Sequence, residues 1–498
     1  MIKLERLREI TSAQGNLPCM ISGEKVYTWQ ETLSLTESKI CFLKNNFQPW
    51  QLQSASFISK NSFELICWLS AFSTLSIPIN GLDYSLPLNT LVNLLKKIKP
   101  GLLLISFKLY NADEISKLQS TGVTLMAIDA PIDPVVKSLG IIHQDKINEI
   151  LKIHKPVAFR SLSLTSGTSS EPKIAVRYKS FDARRFAWFT ARYGFNHLDG
   201  FMLILPLYHA AGNGWARMFM GLGSILYLVD QNNDQEIIKT LSSSHVSTSV
   251  MTPNLVSHLV EMMNVFGIKT HLRWLLVGGC NFSAQRKIEA VDALGAIIHE
   301  YYGCTESGIN ILAEPDDLIS NPESVGRAFD GNKVIILDPK NNPVEKGIQG
   351  RVAIASYMLM DEYGDGRKPF VEIEGSSYFL MADYGYIDSQ NRLFLMNRNA
   401  DNKNTFHVYS IEEKLRSLPC INDIVIIPVI DNTSCSLECL YTTKNTALLK
   451  TGSLINKIEN IFHEHKVSKF KIKNVESIPY SPSGKVRFYE VIHRPDAA

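Results

Sequence analysis

The stretch TSGTSSEPK, Thr165–Lys173, places five hydroxyl residues, one glycine, one proline and one lysine within nine positions. Ser, Thr, Gly and Pro are common in surface turns. The same composition suits a loop whose backbone N–H groups, hydroxyls and lysine surround phosphates. It is not a P-loop of the Walker type, because Pro172 precedes Lys173 and Ile174 follows it. The stretch alone leaves two alternatives, a surface turn and a phosphate loop of another kind.

Length and charge narrow the class of protein. The 498 residues, of which 45% are hydrophobic and 20% charged, are enough for large cores and more than one domain. The net charge of +2 comes without a long block of like charge, so we expect no nucleic-acid partner. The N-terminal MIKLERLREI lacks the apolar region of a signal peptide, and no apolar run reaches the ~18 residues of a membrane span. We therefore expect a cytoplasmic protein with no membrane span.

The eight cysteines are scattered, with no CxxC pair and no histidine pattern typical of zinc sites. Only Cys435 and Cys439 are close, within CSLECLYTT, which has the pattern of a strand. Residues four apart in a strand lie on the same face. We favour two buried thiols here, with a metal site as the alternative.

Short apolar runs alternate with helix-like stretches through the first two thirds of the chain. These runs are GLLLIS at 101–106, FMLILPL at 201–207, SILYLV at 224–229, STSVMTP at 247–253 and LRWLLVGG at 272–279. This alternation predicts βα units with largely parallel sheets, which is an α/β fold. Between about 325 and 397, strands with tight turns predict a more antiparallel, barrel-like module.

The rest of the chain has the pattern of a small α+β unit. Helices are predicted at SIEEKLRSLP and LINKIENIFHEHK, and strands at DIVIIPVI, at SLECLYTT and near NVESIP. The lysine-rich KFKIK, Lys469–Lys473, is expected on a solvated face. The predicted domains are residues 1–397 and 398–498, with a hinge near 398–401 in the polar NRNADNKN.

Four further motifs accompany the opening loop in chain order. They are LPLYHAAG (Leu205–Gly212), EYYGCTESG (Glu300–Gly308), MADYGYID (Met381–Asp388) and SPSGKVR (Ser481–Arg487). With LLVGGCNFS and VGRAFDG between them, the chain resembles the adenylate-forming superfamily of acyl-CoA synthetases, nonribosomal peptide adenylation domains and luciferases. The resemblance runs from about residue 20 to residue 490. It implies a large N-terminal region of two βα-layered subdomains plus a β-barrel-like module, followed by a small mobile α+β domain that carries a catalytic lysine.

The resemblance implies a two-step ligase. A small carboxylic acid attacks the α-phosphate of ATP to give an acyl-adenylate and pyrophosphate, and a thiol then takes the acyl group. ATP and Mg²⁺ are the implied cofactors, and coenzyme A or the phosphopantetheine arm of an acyl or peptidyl carrier protein is the implied acceptor.

The resemblance also assigns roles to individual residues. Those expected to act in catalysis are Lys485, Thr305 and Glu306. Thr168 and Glu306 are expected to position Mg²⁺. Those expected to bind ATP or AMP are Thr165, Ser166, Gly167, Thr168, Ser169, Lys173, Gly279, Cys280, Asn281, Glu300, Tyr301, Tyr302, Gly303, Asp383 and Arg398. Within this set, Asp383 is assigned to the ribose hydroxyls, Thr305 to the α-phosphate, Tyr302 to the adenine ring and Glu300 to its amino edge. Those expected to line the acid pocket are His209, Gly212, Trp215 and Gly278.

Several positions depart from the family pattern. Ser170 replaces a second glycine, and Met381 and Ala382 precede Asp383 where Thr and Gly are usual. Ala400 stands where the hinge normally has an acidic residue or lysine, and the loop that follows contains no glycine. This altered hinge favours a carrier protein or another specialised acceptor over coenzyme A, and an amine or hydroxyl acceptor stays open.

His209 bears on the acid. Domains that activate α-amino acids place an aspartate in this region, and an unpaired buried ammonium would cost ~3–5 kcal/mol. We therefore expect an aryl, short acyl or other acid without a free α-amine. Trp215, Met218 and Phe219 either line an apolar pocket or belong to the core. A nucleotide-binding protein that senses a carboxylate without turnover remains the alternative from another class.

Overall fold

Five sheets organise the described part of the protein in this computed structural model. The structure describes residues 1–129, 148–149, 158–165, 173–398, 408–418, 420–430, 435–443, 451–484 and 486–487. The strands are β1 (Pro18–Ser22), β2 (Lys25–Thr28), β3 (Ala55–Ile58), β4 (Ile79–Gly81), β5 (Leu102–Ile105), β6 (Thr124–Ala127), β7 (Ser161–Thr165), β8 (Lys173–Arg177), β9 (Phe201–Leu203), β10 (Leu226–Leu228), β11 (Thr248–Met251), β12 (Trp274–Gly278), β13 (Ile298–Cys304), β14 (Gly308–Ala313), β15 (Arg327–Ala328), β16 (Lys333–Leu337), β17 (Gly350–Ala355), β18 (Glu362–Tyr363), β19 (Phe370–Ile373), β20 (Ser376–Ile387), β21 (Leu393–Arg398), β22 (Ile421–Ile430), β23 (Cys435–Thr443) and β24 (Phe470–Asn474). The helices are Leu4–Gln14, Trp29–Asn46, Phe63–Thr74, Leu88–Ile98, Ala112–Gln119, Asp182–Tyr193, Ala210–Leu222, Asp234–Leu241, Pro253–Phe266, Ala284–Leu294, Pro315–Ser320, Val408–Arg416 and Thr451–Glu464, with a 3₁₀ turn at Phe107–Leu109.

The largest sheet has nine strands in the order β15, β14, β13, β12, β11, β9, β10, β1, β2. Strands β13, β12, β11, β9, β10 and β1 run parallel, and the remaining strands are antiparallel to their neighbours. A second sheet, in the order β4, β3, β5, β6, is parallel throughout. The prediction of an α/β fold with parallel sheets is therefore confirmed.

The helix Phe63–Thr74 belongs to the core shared by these two sheets. Nine of its 12 residues are buried, and its side chains join one hydrophobic cluster with Phe57 of β3, Leu104 of β5 and Leu203 of β9. A helix that is apolar on nearly every face is stable only when it is covered on several sides. The apolar composition of this helix therefore explains why it packs between the two sheets and joins their cores.

The region after residue 325 is antiparallel, as predicted. Strands β16, β17, β20 and β19 form one sheet with β21 paired to β20. Strands β7, β8 and β18 form a second, smaller sheet. Ala175 of β8 and Tyr363 of β18 share a hydrophobic cluster with Phe379 and Leu393 of the larger sheet. The two sheets thus enclose a common core.

Two short strands after residue 325 pair outside the antiparallel module in which the sequence pattern places them. β15 pairs with β14 at the edge of the nine-stranded sheet, and β18 pairs with β8. Each has only two residues, too few to show a periodic pattern. Long-range pairing alone determines their position.

Residues 408–487, called the C-terminal unit below, have a hydrophobic cluster of their own. It joins Ile411 and Phe462 of the two helices with Ile426 and Leu437 of the sheet β22, β23, β24. The domain boundary at 397/398 stays a prediction, and residues 399–407, with Ala400 and most of the predicted hinge, lie outside the described residues.

The strand predicted near NVESIP is β24, which begins earlier, covers Phe470–Asn474 and shares only Asn474 with that motif. Phe470 and Ile472 pack against the cluster of the C-terminal unit, and Lys473 reaches Glu438 at 3.2 Å. The alternation of lysines with apolar residues is that of a half-buried strand. The lysine-rich KFKIK therefore carries an apolar face as well as a charged one.

Cys439 on β23 is buried, and burial raises the pKa of its thiol. The prediction of a buried thiol is confirmed for Cys439, while the side chain of Cys435 lies outside the described residues. Within the described ranges, no helix is both long and apolar enough to cross a membrane.

Candidate active site

The predicted site residues follow the carboxyl ends of neighbouring parallel strands. Of these, His209 follows β9, Gly279 follows β12 and Thr305 follows β13. Thr252, which the sequence analysis did not assign to the site, follows β11. Because these strands are parallel neighbours, their carboxyl ends meet at one edge of the sheet. Ligands of open α/β sheets bind at this edge.

The predicted phosphate loop joins the strands of an antiparallel hairpin. Thr165 ends β7, Lys173 begins β8, and the two are register partners. Thr165 is buried and Lys173 is exposed. Residues 166–172, which include Ser166, Gly167, Thr168, Ser169 and Ser170, lie outside the described residues. The structure therefore locates the two ends of the loop.

Tyr363 connects this hairpin to Glu306. Its ring lies 5.4 Å from Nζ of Lys173, and its hydroxyl donates to Oε1 of Glu306 at 3.0 Å. Thr305 and Glu306 occupy the turn between β13 and β14, where both are half-buried. The lysine and the carboxylate that were predicted to handle phosphates and metal thus approach the same phenol.

Arg177, which the sequence analysis missed, donates hydrogen bonds to the turn that contains Thr305 and Glu306. Its Nε donates to the carbonyl of Met358 at 3.1 Å, and its Nη2 donates to the carbonyl of Glu306 at 3.2 Å and to that of Thr305. The side chain is only 5% exposed, and burial lowers the pKa of the guanidinium. The available signal was an arginine directly after the apolar run Ile174–Val176.

The Glu306 carboxylate fits a hard cation. A carboxylate offers about four acceptor positions, of which Tyr363 uses one, and carboxylate oxygens are the ligands that Mg²⁺ prefers. Among the residues that the structure describes, no group of three or more His, Cys, Asp or Glu could hold a metal by itself. A metal here would therefore need oxygens from elsewhere, such as the hydroxyl of Thr168 or the phosphates of a nucleotide.

Asp383 lies on β20 with both carboxylate oxygens engaged. The hydroxyl of Tyr302 donates to Oδ2 at 2.7 Å, and that of Tyr409 donates to Oδ1 at 3.2 Å. Burial, followed by the charge of Asp383, raises the pKa of Tyr302 well above its ordinary value. Arg398 is the register partner of Asp383 on β21, and its side chain lies outside the described residues.

Gly278 and Gly279 end β12 where the chain passes closely over Tyr301. A methyl group on Gly278 would lie 2.6 Å from the carbonyl oxygen of Tyr301 and 2.7 Å from its ring. Gly279 has φ +93°, which an L side chain rarely adopts. Cys280 is half-buried, and Nδ2 of Asn281 reaches Oε2 of Glu412 at 3.4 Å.

Glu300 is buried in an ion pair. Its Oε2 lies 2.7 Å from Nζ of Lys287, whose side chain is 1% exposed. Burial raises the pKa of Glu300 although Lys287 opposes that shift. The assignment of Glu300 to the adenine edge stays a prediction, and its carboxylate is already engaged by Lys287.

His209 caps the helix Ala210–Leu222. Its Nδ1 accepts from the backbone N–H of Ala211 at 3.3 Å. Gly212 is packed so closely that a methyl group would lie 2.2 Å from the carbonyl oxygen of Pro206. His209 is therefore held at the carboxyl edge of the sheet, half-buried.

Trp215, which was predicted to line the acid pocket, is buried in the hydrophobic core. Trp215 is 1% exposed and packs against Phe189 and Trp274, with ring centroids 4.8 Å and 5.2 Å away. Met218 and Phe219 are buried in the same cluster. Helical spacing alone could not show which face of this helix points inward, and the core alternative applies to all three residues.

The C-terminal unit docks beside Asp383. Oε1 of Glu413 accepts from the backbone N–H of Gln285 at 3.1 Å, in the first turn of the helix Ala284–Leu294, where a negative charge is favourable. Asp423 lies 2.9 Å from Arg286 of the same helix and 2.7 Å from Arg416.

The tail of the C-terminal unit reaches the same edge of the sheet. Gly484 packs so closely on Thr252 that a methyl group would lie 2.5 Å from Cγ2. Lys485 lies outside the described residues, but its neighbour Gly484 is thus at the carboxyl end of β11. The tail and the predicted site residues share one region.

Comparisons with known proteins agree with this geometry. The chain is 22% identical to the 2-succinylbenzoate–CoA ligase of Staphylococcus aureus strain Newman, over 95% of this chain and 96% of that enzyme. It is 26% identical to the enzyme of the same name from Lactococcus lactis, but that match spans only 58% of this chain and 60% of that enzyme.

Solved structures show the same fold. An amide bond synthetase from Marinactinospora thermotolerans has a TM-score of 0.78 at 16% identity, over 98% of this chain and 99% of that one. The o-succinylbenzoate CoA synthetase of Bacillus subtilis, in complex with its acyl-adenylate intermediate, has a TM-score of 0.75 at 15% identity, over 99% of both chains. The model of the AMP-binding enzyme family matches residues 7–364. The protein therefore belongs to the AMP-binding enzyme family and is an acid ligase of the AMP-forming type.

Proposed function

We propose that this ligase activates a carboxylic acid without a free α-amine as its acyl-adenylate and then transfers the acyl group to the thiol of coenzyme A. The observation that carries the proposal is the meeting of the Glu306 turn, Asp383 and the tail around Gly484 at the carboxyl edge of parallel strands. An ATP-dependent acid ligase needs a nucleotide subsite and a cation at one place. The position of Gly484, the neighbour of Lys485, at this edge supports the proposal.

The nucleotide is assigned to the groups around Asp383 and the β7–β8 hairpin. The Asp383 carboxylate would accept hydrogen bonds from the ribose hydroxyls, beside the ring of Tyr302. The hydroxyl of Thr305 would donate to the α-phosphate. The loop between Thr165 and Lys173 would surround the β- and γ-phosphates with N–H groups and hydroxyls.

Thr168 and Glu306 are the residues that would hold Mg²⁺. When bound, this ion neutralises charge on the phosphates. The contribution of the chain is to fix the direction of the Glu306 carboxylate through Tyr363, whose hydroxyl donates to it at 3.0 Å.

Lys485 is assigned to the reacting groups of the first step. A carboxylate oxygen of the acid bonds to the α-phosphorus, and the bond between that phosphorus and the pyrophosphate oxygen breaks. A cation beside this centre would stabilise the transition state, in which negative charge moves onto the leaving group. In the second step the thiol sulfur would bond to the acyl carbon while the bond from that carbon to the AMP phosphate oxygen breaks. AMP would leave as the anion, and the thiol proton would pass to solvent.

Two observations support the choice of acid and acceptor. His209 occupies the region where a carboxylate would be needed to pair an α-ammonium, and its ring is engaged as a helix cap. The Staphylococcus aureus relative, matched over 95% of this chain, is named for an aromatic acid and coenzyme A. We propose an aryl acid of this kind as the substrate class, with 2-succinylbenzoate as the first compound to test.

The test is pyrophosphate release from ATP by the full chain with 2-succinylbenzoate, benzoate, a short-chain fatty acid and an α-amino acid. Lys485→Ala is compared with Lys469→Ala, which removes an exposed lysine of the same C-terminal unit. We expect release with an acid that lacks the amine, a loss of at least a hundredfold in Lys485→Ala, and normal release in Lys469→Ala.

Product analysis then identifies the acceptor. The expected product with coenzyme A is the acyl thioester, detected by mass. Transfer only to a phosphopantetheinylated carrier protein or to an added amine would refute the choice of coenzyme A. Tight ATP binding without pyrophosphate release for any acid would refute turnover itself and favour a carboxylate sensor.

A further inference from the structure

A phenol from the C-terminal unit covers the carboxylate that is assigned to the ribose. The hydroxyl of Tyr409 donates to Oδ1 of Asp383 at 3.2 Å, and Tyr302 donates to Oδ2. Asp383 is only 6% exposed. Two phenols leave acceptor capacity on the carboxylate, but its burial means that a ribose hydroxyl can reach it only after a covering group withdraws.

Tyr409 belongs to the docked face of its helix. Residues spaced by three and four along a helix lie on one side, and Tyr409, Glu412, Glu413 and Arg416 have this spacing in the helix Val408–Arg416. Glu412 reaches Asn281, Glu413 accepts from the backbone of Gln285, and Arg416 pairs with the Asp423 that holds Arg286. The bond from Tyr409 to Asp383 is thus one of several contacts that fix the C-terminal unit on the large region.

The two phenols differ in how they are attached. Tyr302 lies on β13 within the nine-stranded sheet and moves only with that sheet. Tyr409 lies on the C-terminal unit, which has a separate hydrophobic cluster. Of these two phenols, Tyr409 is the one that can withdraw without disturbing the core of the large region.

We propose that Tyr409 is a positioning residue that competes with the ribose of ATP for Oδ1 of Asp383. This inference rests on the proposed ribose role of Asp383. A ribose hydroxyl and a phenol make the same kind of hydrogen bond to a carboxylate, so the exchange replaces one docking contact by one nucleotide contact. Coupling between two binding events is reciprocal. If docking of the C-terminal unit weakens nucleotide binding, nucleotide binding weakens that docking by the same factor.

The competition predicts a dependence on the ribose hydroxyls. Tyr409→Phe removes only the competing hydroxyl, so affinity for ATP should rise by about three- to tenfold, which corresponds to one hydrogen bond. A nucleotide without ribose hydroxyls gains nothing from an uncovered Oδ1. Discrimination between ATP and 2′,3′-dideoxy-ATP should therefore increase by the same factor in the variant.

The experiment is titration calorimetry of the full chain with Mg²⁺ and either nucleotide, for the parent, Tyr409→Phe and Tyr193→Phe. Tyr193 is a matched control, because its hydroxyl also donates to a carboxylate, that of Glu314 at 3.0 Å, away from the C-terminal unit. In pyrophosphate release, the KM for ATP should fall with the Kd in Tyr409→Phe. Tyr193→Phe should leave both unchanged.

The outcomes separate the inference from the proposed function. If the parent prefers ATP to the dideoxy nucleotide and Tyr409→Phe leaves that preference unchanged or lowers it, Tyr409 does not compete and the inference is wrong, while the ribose role stands. If the parent binds both nucleotides equally, the ribose assignment itself fails, and the inference fails with it.

Discussion

Replacing Arg177 tests whether the predicted metal-binding turn depends on a buried support. In Arg177→Met the carbonyls of Met358, Thr305 and Glu306 lose their charged donor in a place where the side chain is 5% exposed. A hydrogen bond from a charged donor contributes about 1.5–3 kcal/mol, so three of them give a gross loss of ~5–9 kcal/mol. Removing a charge that burial disfavours offsets part of this loss. We expect a net decrease of ~3 kcal/mol in the free energy of unfolding.

The measurement is urea denaturation followed by tryptophan fluorescence, because all six tryptophans precede residue 275 and report on the large region. Arg184→Met is the control, since that side chain is 54% exposed and its ion pair with Asp330 should contribute less than ~1 kcal/mol. The KM for ATP with Mg²⁺ should rise in Arg177→Met as the turn loosens. A stability loss equal to that of the control, with an unchanged KM, would contradict the proposed support.

Two further changes test buried charges. Lys39 is 2% exposed against the ring of Trp68, and burial lowers its pKa from 10.5 to about 8. The unfolded chain therefore binds more protons between these pH values, so stability should rise with pH across this window. Lys39→Met should remove that rise and stabilise the protein by ~2 kcal/mol at pH 7, measured by urea denaturation at several pH values, and a loss of stability would refute this reasoning. Lys287→Met leaves Glu300 buried without its cation and should cost ~3–5 kcal/mol, whereas adding Glu300→Gln should recover most of it. A double variant no more stable than the single one would show that the pair is not the cause.

The course of the chain through the βα layers could be predicted because its signals are local. Apolar runs such as LRWLLVGG stand between helix-like stretches, and the strand β12 appears there. The antiparallel pattern after residue 325 is also local, since alternation and tight turns lie within a few residues of each other. The two-residue strands β15 and β18 carry no such pattern, and their partners lie in other sheets.

The residues of the candidate site also include some that local sequence patterns predict and some that depend on tertiary contacts. Contiguous motifs allowed the sequence analysis to select residues that follow strand ends, such as His209 and Thr305, and Asp383 within the strand β20. Two features required the three-dimensional packing. Arg177 supports the Thr305 turn from 128 residues away, and Trp215 faces the core.

The contact between Tyr409 and Asp383 illustrates why such tertiary contacts could not be predicted. Tyr409 lies 26 residues from Asp383 in sequence, beyond a predicted hinge, and no local pattern distinguishes its phenol from any other on a helix surface. The sequence determined the chemical groups that the chain can bring to a nucleotide. Packing between elements far apart in the chain determines which of these groups come into contact. Hydrophobic burial and docking of the C-terminal unit depend on surfaces that form only after the strands have paired.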